Sequence, residues 1–444
     1  MPRSPWVHVA QVAAALAAGM GVGRFVYTPI LPLMHAQAGL SAGAGANLAT
    51  ANYVGYLAGA LAGILLPGLV RSRAALRGSL IVLTATLAAM PATHSLAGWL
   101  AIRLLAGATS ALIFVIAASS LLSHLRDRPA HLPGWAFGGV GAGIALSGAL
   151  VLVLRSVGTW QAAWWAAAGL AAVLAAGAWN LRPEAGPEAG PEAGPEAGPE
   201  AGPEAGLASP SASPPASLSR PGLPPQAAPQ PGLRPHRWFA ALFIGYTLEG
   251  IGYIVAGTFL VAAIGQSSPG WVASGAWVLV GLAAVPSSAL WARLGRRWSR
   301  PDLLCAALLV QAVGIALPAL IGGVAAALFA AFLFGATFIG VSTITLAVGA
   351  ELRFPRSVAL LTAGYSVGQI LGPLVVRPLL HHGYHPALIL AAAVVLLAAA
   401  AAGVLRIGFP QQQDADARAA VRSRPRPPAA PAHRAGPGRW RTDR

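Results

Sequence analysis

Lysine is absent from this chain of 444 residues; all 29 basic residues are arginines. Acidic residues are also scarce, 13 in all, so charged side chains make up 9% of the sequence, against about 25% in ordinary soluble domains. Such a chain has too little charge to coat the surface of a soluble multidomain enzyme. The single cysteine, Cys305, lies in an apolar run, which excludes disulfides within the chain and thiolate metal sites. No Walker loop, His-Glu-x-x-His or Gly-x-Ser-x-Gly is present, so ATP-driven transport and the common hydrolases have no motif to rest on. His381, His382 and His385 cluster without a neighbouring Cys, Asp or Glu. They read as solvated loop histidines, and no metal or cofactor is expected.

What is abundant is apolar sequence: 56% of the residues, with a mean hydropathy of +0.65. This conflicts with a net charge of +16, which alone would point to a nucleic-acid binder. A polytopic membrane protein with its arginines on one side removes the conflict and needs no nucleic acid as partner. Runs long enough to cross a bilayer occupy roughly 7–34, 44–69, 78–95, 98–122, 134–154 and 160–181. A second set occupies roughly 238–264, 271–292, 303–321, 324–348, 358–380 and 386–408. The first run follows Met1-Pro2-Arg3 like a signal peptide but leads into further apolar runs, so it reads as a first span. With the N-terminus placed in the cytoplasm, 25 arginines fall in inner segments and only Arg155 and Arg377 outside, while Arg24 and Arg103 lie within spans. That asymmetry predicts a multi-pass protein of the bacterial inner membrane with both termini cytoplasmic.

The expected organisation is all-α: a six-helix bundle over 1–181, a disordered cytoplasmic linker over 182–237, a second six-helix bundle over 238–409 and a disordered tail over 410–444. The linker contains six exact copies of Pro-Glu-Ala-Gly over 183–206; proline at every fourth position breaks helix, and no apolar face exists to bury. The arginines of the tail read as plain topogenic charge, the alternative being a seat on anionic lipid headgroups. The halves also repeat. Gly21-Val22-Gly23 aligns with Gly250-Ile251-Gly252 at an offset of 229, and Gly107-Ala108-Thr109 with Gly335-Ala336-Thr337 at 228. Gly139, Gly143 and Gly148 resemble Gly364, Gly368 and Gly372 in spacing.

Parallel six-helix repeats are the plan of major facilitator transporters, whose substrate sits near the midplane between the halves. Further residues carry that resemblance. Arg103 and Gly107 stand four apart in span four, and Arg293-Leu294-Gly295-Arg296-Arg297 after span eight is similar to the superfamily's inner-loop gating motif. The run from Gly21 through Arg24, Phe25, Tyr27, Thr28 and Pro29 to Pro32 resembles, more narrowly, the YbfB/YjiJ-type bacterial branch. So do Ala51-Asn52-Tyr53 with Gly55-Tyr56, and Leu248-Glu249-Gly250 with Gly252-Tyr253. The likeness covers both halves but not the linker or tail. It implies the twelve-helix major facilitator fold and transport of a small-molecule substrate, without naming the cargo. The usual inner-loop Asp is absent after span two, and Ala292 takes its place after span eight, so the ordinary gating latch of the family is in doubt.

Three residues of fixed charge lie well inside spans: Arg24, Arg103 and Glu249. Each costs about 2.5–3.5 kcal/mol at a helix centre, and such residues usually serve function. Glu249, the one carboxylate inside a span, can load and release a proton; Arg24 can clamp a carboxylate or phosphate. The repeat matches Glu249 to Met20, one turn from Arg24, so the two are expected to face each other and pair when the site is empty. Arg103 reads equally as packing or coupling. Tyr27, Asn52, Tyr56, Tyr253, Tyr365 and Gln369 supply hydrogen-bonding groups on helices that line such cavities, and each also reads as packing. The glycines and prolines of span one allow bending or close packing. The expected activity is proton-coupled secondary transport by alternating access, with protons and membrane lipids as further partners and a single copy as the working unit. The alternatives are a polytopic enzyme acting on lipid-linked substrates, or a membrane sensor or channel without turnover.

Overall fold

A computed structural model of the chain describes residues 5–124, 131–156, 158–183, 234–295, 297–352, 354 and 356–407. Twelve helices long and apolar enough to cross a membrane lie among them. They are α1 (Pro5–Ala38), α2 (Ala42–Leu65), α3 (Arg73–Ala92), α4 (Leu96–His124), α5 (Pro133–Leu154) and α6 (Trp160–Ala178). The second six are α7 (His236–Ser267), α8 (Gly270–Leu294), α9 (Arg300–Leu320), α10 (Val324–Glu351), α11 (Ser357–His382) and α12 (His385–Leu405). No strand occurs among the described residues. This is an all-helical multi-pass membrane protein. The twelve apolar runs reappear one for one, most with ends a few residues longer. The helix of α7 already begins at Arg234, inside the expected linker. The Pro-Glu-Ala-Gly repeats after Pro183 and the tail lie outside the described residues.

Helices outrun the apolar stretches because arginine stems lie along apolar surface while their heads stay wet. Thus α3 starts at Arg73, capped by the Ser72 hydroxyl, which accepts from the Ala75 N–H at 3.1 Å. Arg77 in its second turn donates to the Trp179 carbonyl at 3.1 Å and lies 4.9 Å from that indole ring.

The internal repeat is real at the level of backbone contact. A Cβ on Gly107 of α4 would fall on the Asn52 carbonyl of α2, and one on Gly335 of α10 would fall on the Val280 carbonyl of α8. Both partners sit 228 positions on from their counterparts. Only glycine permits such approaches, the usual device where helices lack a hydrophobic drive to associate within lipid. The halves meet where α5 packs on α8 and α2 on α11. They also meet where the Thr28 hydroxyl of α1 donates to the Gly257 carbonyl of α7 at 2.5 Å. Those residues are 229 apart, the repeat offset itself, so the bond joins equivalent positions and marks the pseudo-twofold axis.

One feature breaks the symmetry. In α1, Ala17–Val22 form a π-helical stretch, with Gly23 N–H donating to Ala18 O at 2.8 Å and Phe25 N–H to Met20 O at 3.2 Å. Residues 23–26 turn before helix resumes at Tyr27. The corresponding part of α7 is continuous α-helix.

Candidate functional site

Between the halves lies a cavity that offers the centre of a water molecule about 180 Å³. It is lined from α1, α2, α4, α5, α7, α10 and α11, the two halves contributing from both sides. The lining runs from midplane residues Arg24 and Gln369 to Leu346 and Thr362, which lie toward the face where Pro5 and Ile407 sit.

Arg24 occupies the break in α1, where a helix with an interrupted hydrogen-bond ladder presents side chains out of α-helical phase. It is 3% exposed. One terminal nitrogen donates to the Gln369 Oε1 of α11 at 2.6 Å, across the halves, and its Nε has no partner. Its guanidinium lies 4.3 Å from the Tyr56 ring centre, 4.9 Å from Tyr53 and 5.4 Å from Phe25. Aromatic faces hold a cation without neutralising it. Among the described residues Arg24 forms no ion pair; those found join Arg300 to Glu351 and Arg406 to Asp302, at the face of the chain ends.

Five of the residues singled out from the sequence meet in this cavity: Arg24, Tyr56, Tyr253, Tyr365 and Gln369. Four others lie elsewhere. Tyr27 donates to the Gly45 carbonyl at 2.8 Å and Asn52 to the Arg103 carbonyl at 3.0 Å, so both tie helices of the first half together. Arg103, 1% exposed, stands behind the break in α1: a terminal nitrogen reaches the Arg24 carbonyl at 3.4 Å, and its guanidinium sits 4.8 Å from the Tyr27 ring centre.

Glu249 corrects the expected geometry. It does not pair with Arg24; it points into the interior of the second half, at a crevice lined by residues of α7, α9, α10 and α12. The crevice offers a water centre about 10 Å³, the lower limit for holding one water. Both carboxylate oxygens are buried, and the buried Gln311 amide of α9 lies beside them as the neighbouring hydrogen-bonding group. The sequence reading missed Gln311, although an amide in the middle of an apolar span is a visible signal. It also missed Tyr246, which borders both the crevice and the central cavity.

Of the inner-loop motif, Arg293, Gly295 and Arg297 are exposed at the end of α8, and Arg296 lies outside the described residues. The glycines of α5 and α11 pack closely: Gly143 against the backbone of Ala17 and Gly21, Gly368 against that of Thr247.

The hydrogen bonds found between the halves among the described residues lie at the depth of Arg24 or beyond it, away from the chain ends. These are Arg24–Gln369, Thr28–Gly257, Tyr53–Thr258 at 2.8 Å and His35–Tyr384 at 2.6 Å. Among the described residues none joins the halves on the side of the chain ends. Among the described residues, the hydrogen bonds that join the halves thus close the end of the cavity away from the chain ends.

A family profile described as "Uncharacterised MFS-type transporter YbfB" matches residues 16–206 and 216–403. The chain belongs to the YbfB-type family of major facilitator transporters. The fold agrees: a crystal structure of a point mutant of the nucleoside transporter NupG superposes with a TM-score of 0.63, covering 90% of this chain and 99% of that one. At 12% identity that likeness speaks for the major facilitator fold alone. No curated sequence matches the chain. In this YbfB-type transporter the central cavity is where a small-molecule substrate is to be sought.

Proposed function

We propose that the protein is a proton-coupled secondary transporter that moves a small organic solute by alternating access. It would sit in the bacterial inner membrane with both chain ends cytoplasmic and work as a single copy. The observation that carries this reading is the cavity between the halves, closed by cross-half bonds at the end away from the chain ends, with a buried arginine there that forms no ion pair among the described residues. With the arginine-rich side inward, the conformer is inward-facing. Rocking the halves against each other breaks the far-side bonds and opens the other mouth.

Coupling is assigned to Glu249. A permanently charged arginine cannot carry a proton, whereas a buried carboxylate beside an amide can exist in either state. Tyr246, shared by crevice and cavity, links the two sites, and its ring stacks on Tyr365 at 4.4 Å. Release of a proton leaves an unsolvated charge in the second half, which favours the conformer that rehydrates it. The interior of that half supports proton traffic without solute entering it.

The test is transport in proteoliposomes. Glu249→Gln is expected to abolish accumulation driven by a pH gradient, a loss of at least about 100-fold, while counterflow of labelled solute continues. Intact pH-driven accumulation in that variant would remove Glu249 from coupling. Absence of counterflow in the wild-type protein for every solute it binds would favour a sensor or a membrane enzyme instead.

A further inference from the structure

The central cavity also bears on which solutes it takes, an inference that rests on the transport reading above. Four of the chain's seven tyrosines, Tyr56, Tyr246, Tyr253 and Tyr365, converge on it. Three of them form near-parallel plates: Tyr246 and Tyr365 stack at 13°, and Tyr253 lies 5.8 Å from Tyr365 at 20°. Phe338 adds a further face 5.1 Å from Tyr253. Flat aryl walls with hydroxyl edges favour a flat ring, because offset stacking adds to the burial of apolar area.

At the other end stands Arg24, the one charged residue among the lining residues. Gln369 is neutral and only orients it, the Nε has no partner, and among the described residues no carboxylate pairs with it. A neutral or cationic solute would leave that buried charge uncompensated. A singly charged planar anion satisfies it through paired N–H···O bonds. A phosphate ester, with a second charge, would call for a second cation, and Arg103 is turned away behind α1 against Tyr27. The volume, about 180 Å³ for a water centre, suits a compact solute rather than a chain.

We propose that the cavity takes a small aromatic monocarboxylate, its ring against the tyrosine plates and its carboxylate on Arg24. The full-length protein in lipid nanodiscs at neutral pH would be titrated calorimetrically with benzoate, cyclohexanecarboxylate, benzamide and benzylamine. Benzoate is expected to bind roughly 10- to 100-fold more tightly than benzamide, the worth of a hydrogen bond to a charged group. It should bind roughly 2- to 10-fold more tightly than cyclohexanecarboxylate, whose ring cannot stack, and benzylamine should not bind. Arg24→Gln should bring benzoate down to the benzamide level. Equal affinity for benzoate and benzamide in the wild-type protein, or no binding of benzoate, overturns the proposal without recourse to any variant. Labelled benzoate would then be followed in counterflow. Tight binding without counterflow overturns the transport reading but keeps the ligand class, whereas counterflow of benzamide at the rate of benzoate overturns the class and keeps transport.

Discussion

The two halves of this transporter share one scaffold and bury opposite charges. The first half holds Arg24 and Arg103, each over tyrosine rings and each tied to a neighbouring helix by a guanidinium bond. The second holds Glu249, buried beside the neutral Gln311 amide. The cations cannot change state, so they suit fixed tasks: gripping an anion, or bracing the break in α1. The carboxylate can change state, and its polar neighbour is a neutral amide rather than a cation that would fix its charge. Under the proposed function, the division gives the anion-gripping charge to the first half and the proton-carrying charge to the second, with the cavity between them lined from both halves.

The comparison presumes equivalent scaffolds, and the sharpest way to break it is to fill the matched contacts. Gly107→Leu and Gly335→Leu each drive a side chain into a backbone carbonyl of the neighbouring helix, so the helices must part. Overpacking costs about 1–3 kcal/mol and occasionally more. With rigid backbone as the obstacle, both variants are expected at or above the upper end of that range. The thermal unfolding midpoints of the purified variants should fall together. A loss confined to one half would show that the repeat has diverged in packing as well as in charge.

A smaller effect separates the two arginines. Arg24→Gln removes the charge from the cavity and should raise the KM for counterflow, whereas Arg103→Gln should lower the maximal rate and leave KM unchanged. Arg103 touches the backbone of Arg24 rather than the cavity, so its loss loosens the break in α1 by about 1–3 kcal/mol, the cost of a lost charged hydrogen bond. An equal rise in KM for both variants would place Arg103 in the binding site.

Much of this architecture was legible in the residues. Twelve apolar runs, the arginine asymmetry and the two-fold glycine pattern were enough for the fold, because bilayer thickness and backbone satisfaction leave few alternatives. The helix ends were not, since arginines such as Arg73 and Arg300 continue helices past the apolar stretch. Within the site, Arg24, Tyr56, Tyr253, Tyr365 and Gln369 were identifiable as polar groups on cavity helices, but the Arg24–Gln369 bond spans 345 positions and no local pattern encodes it. Glu249 was misplaced for a definable reason. The repeat equates it with Met20, which does line the cavity, but Met20 lies in the π-helical stretch. A turn closed from i to i+5 takes up about one residue more than an α-turn, so α1 is re-phased while α7 is not. Equivalent positions in sequence therefore face different neighbours.

The gentlest test concerns the sealed end. There the Tyr384 hydroxyl meets His35 Nε2 at 2.6 Å, with the other His35 nitrogen on the Leu40 carbonyl. Tyr384→Phe deletes that hydroxyl yet keeps the ring stacked on Phe259, 5.6 Å away. One such bond is worth about 0.5–1.5 kcal/mol net, so the conformer open at the far face should rise by roughly two- to tenfold. Spin-label distances between the far-face ends of α1 and α12, read on a Cys305→Ser background, would report that population. His35→Leu should act in the same direction, and the double variant should add little to the larger single effect, because both substitutions delete one shared bond. Full additivity would mean that ring packing and the Leu40 contact hold the far face shut independently. Closure of the far face would then rest on apolar packing rather than on hydrogen bonds.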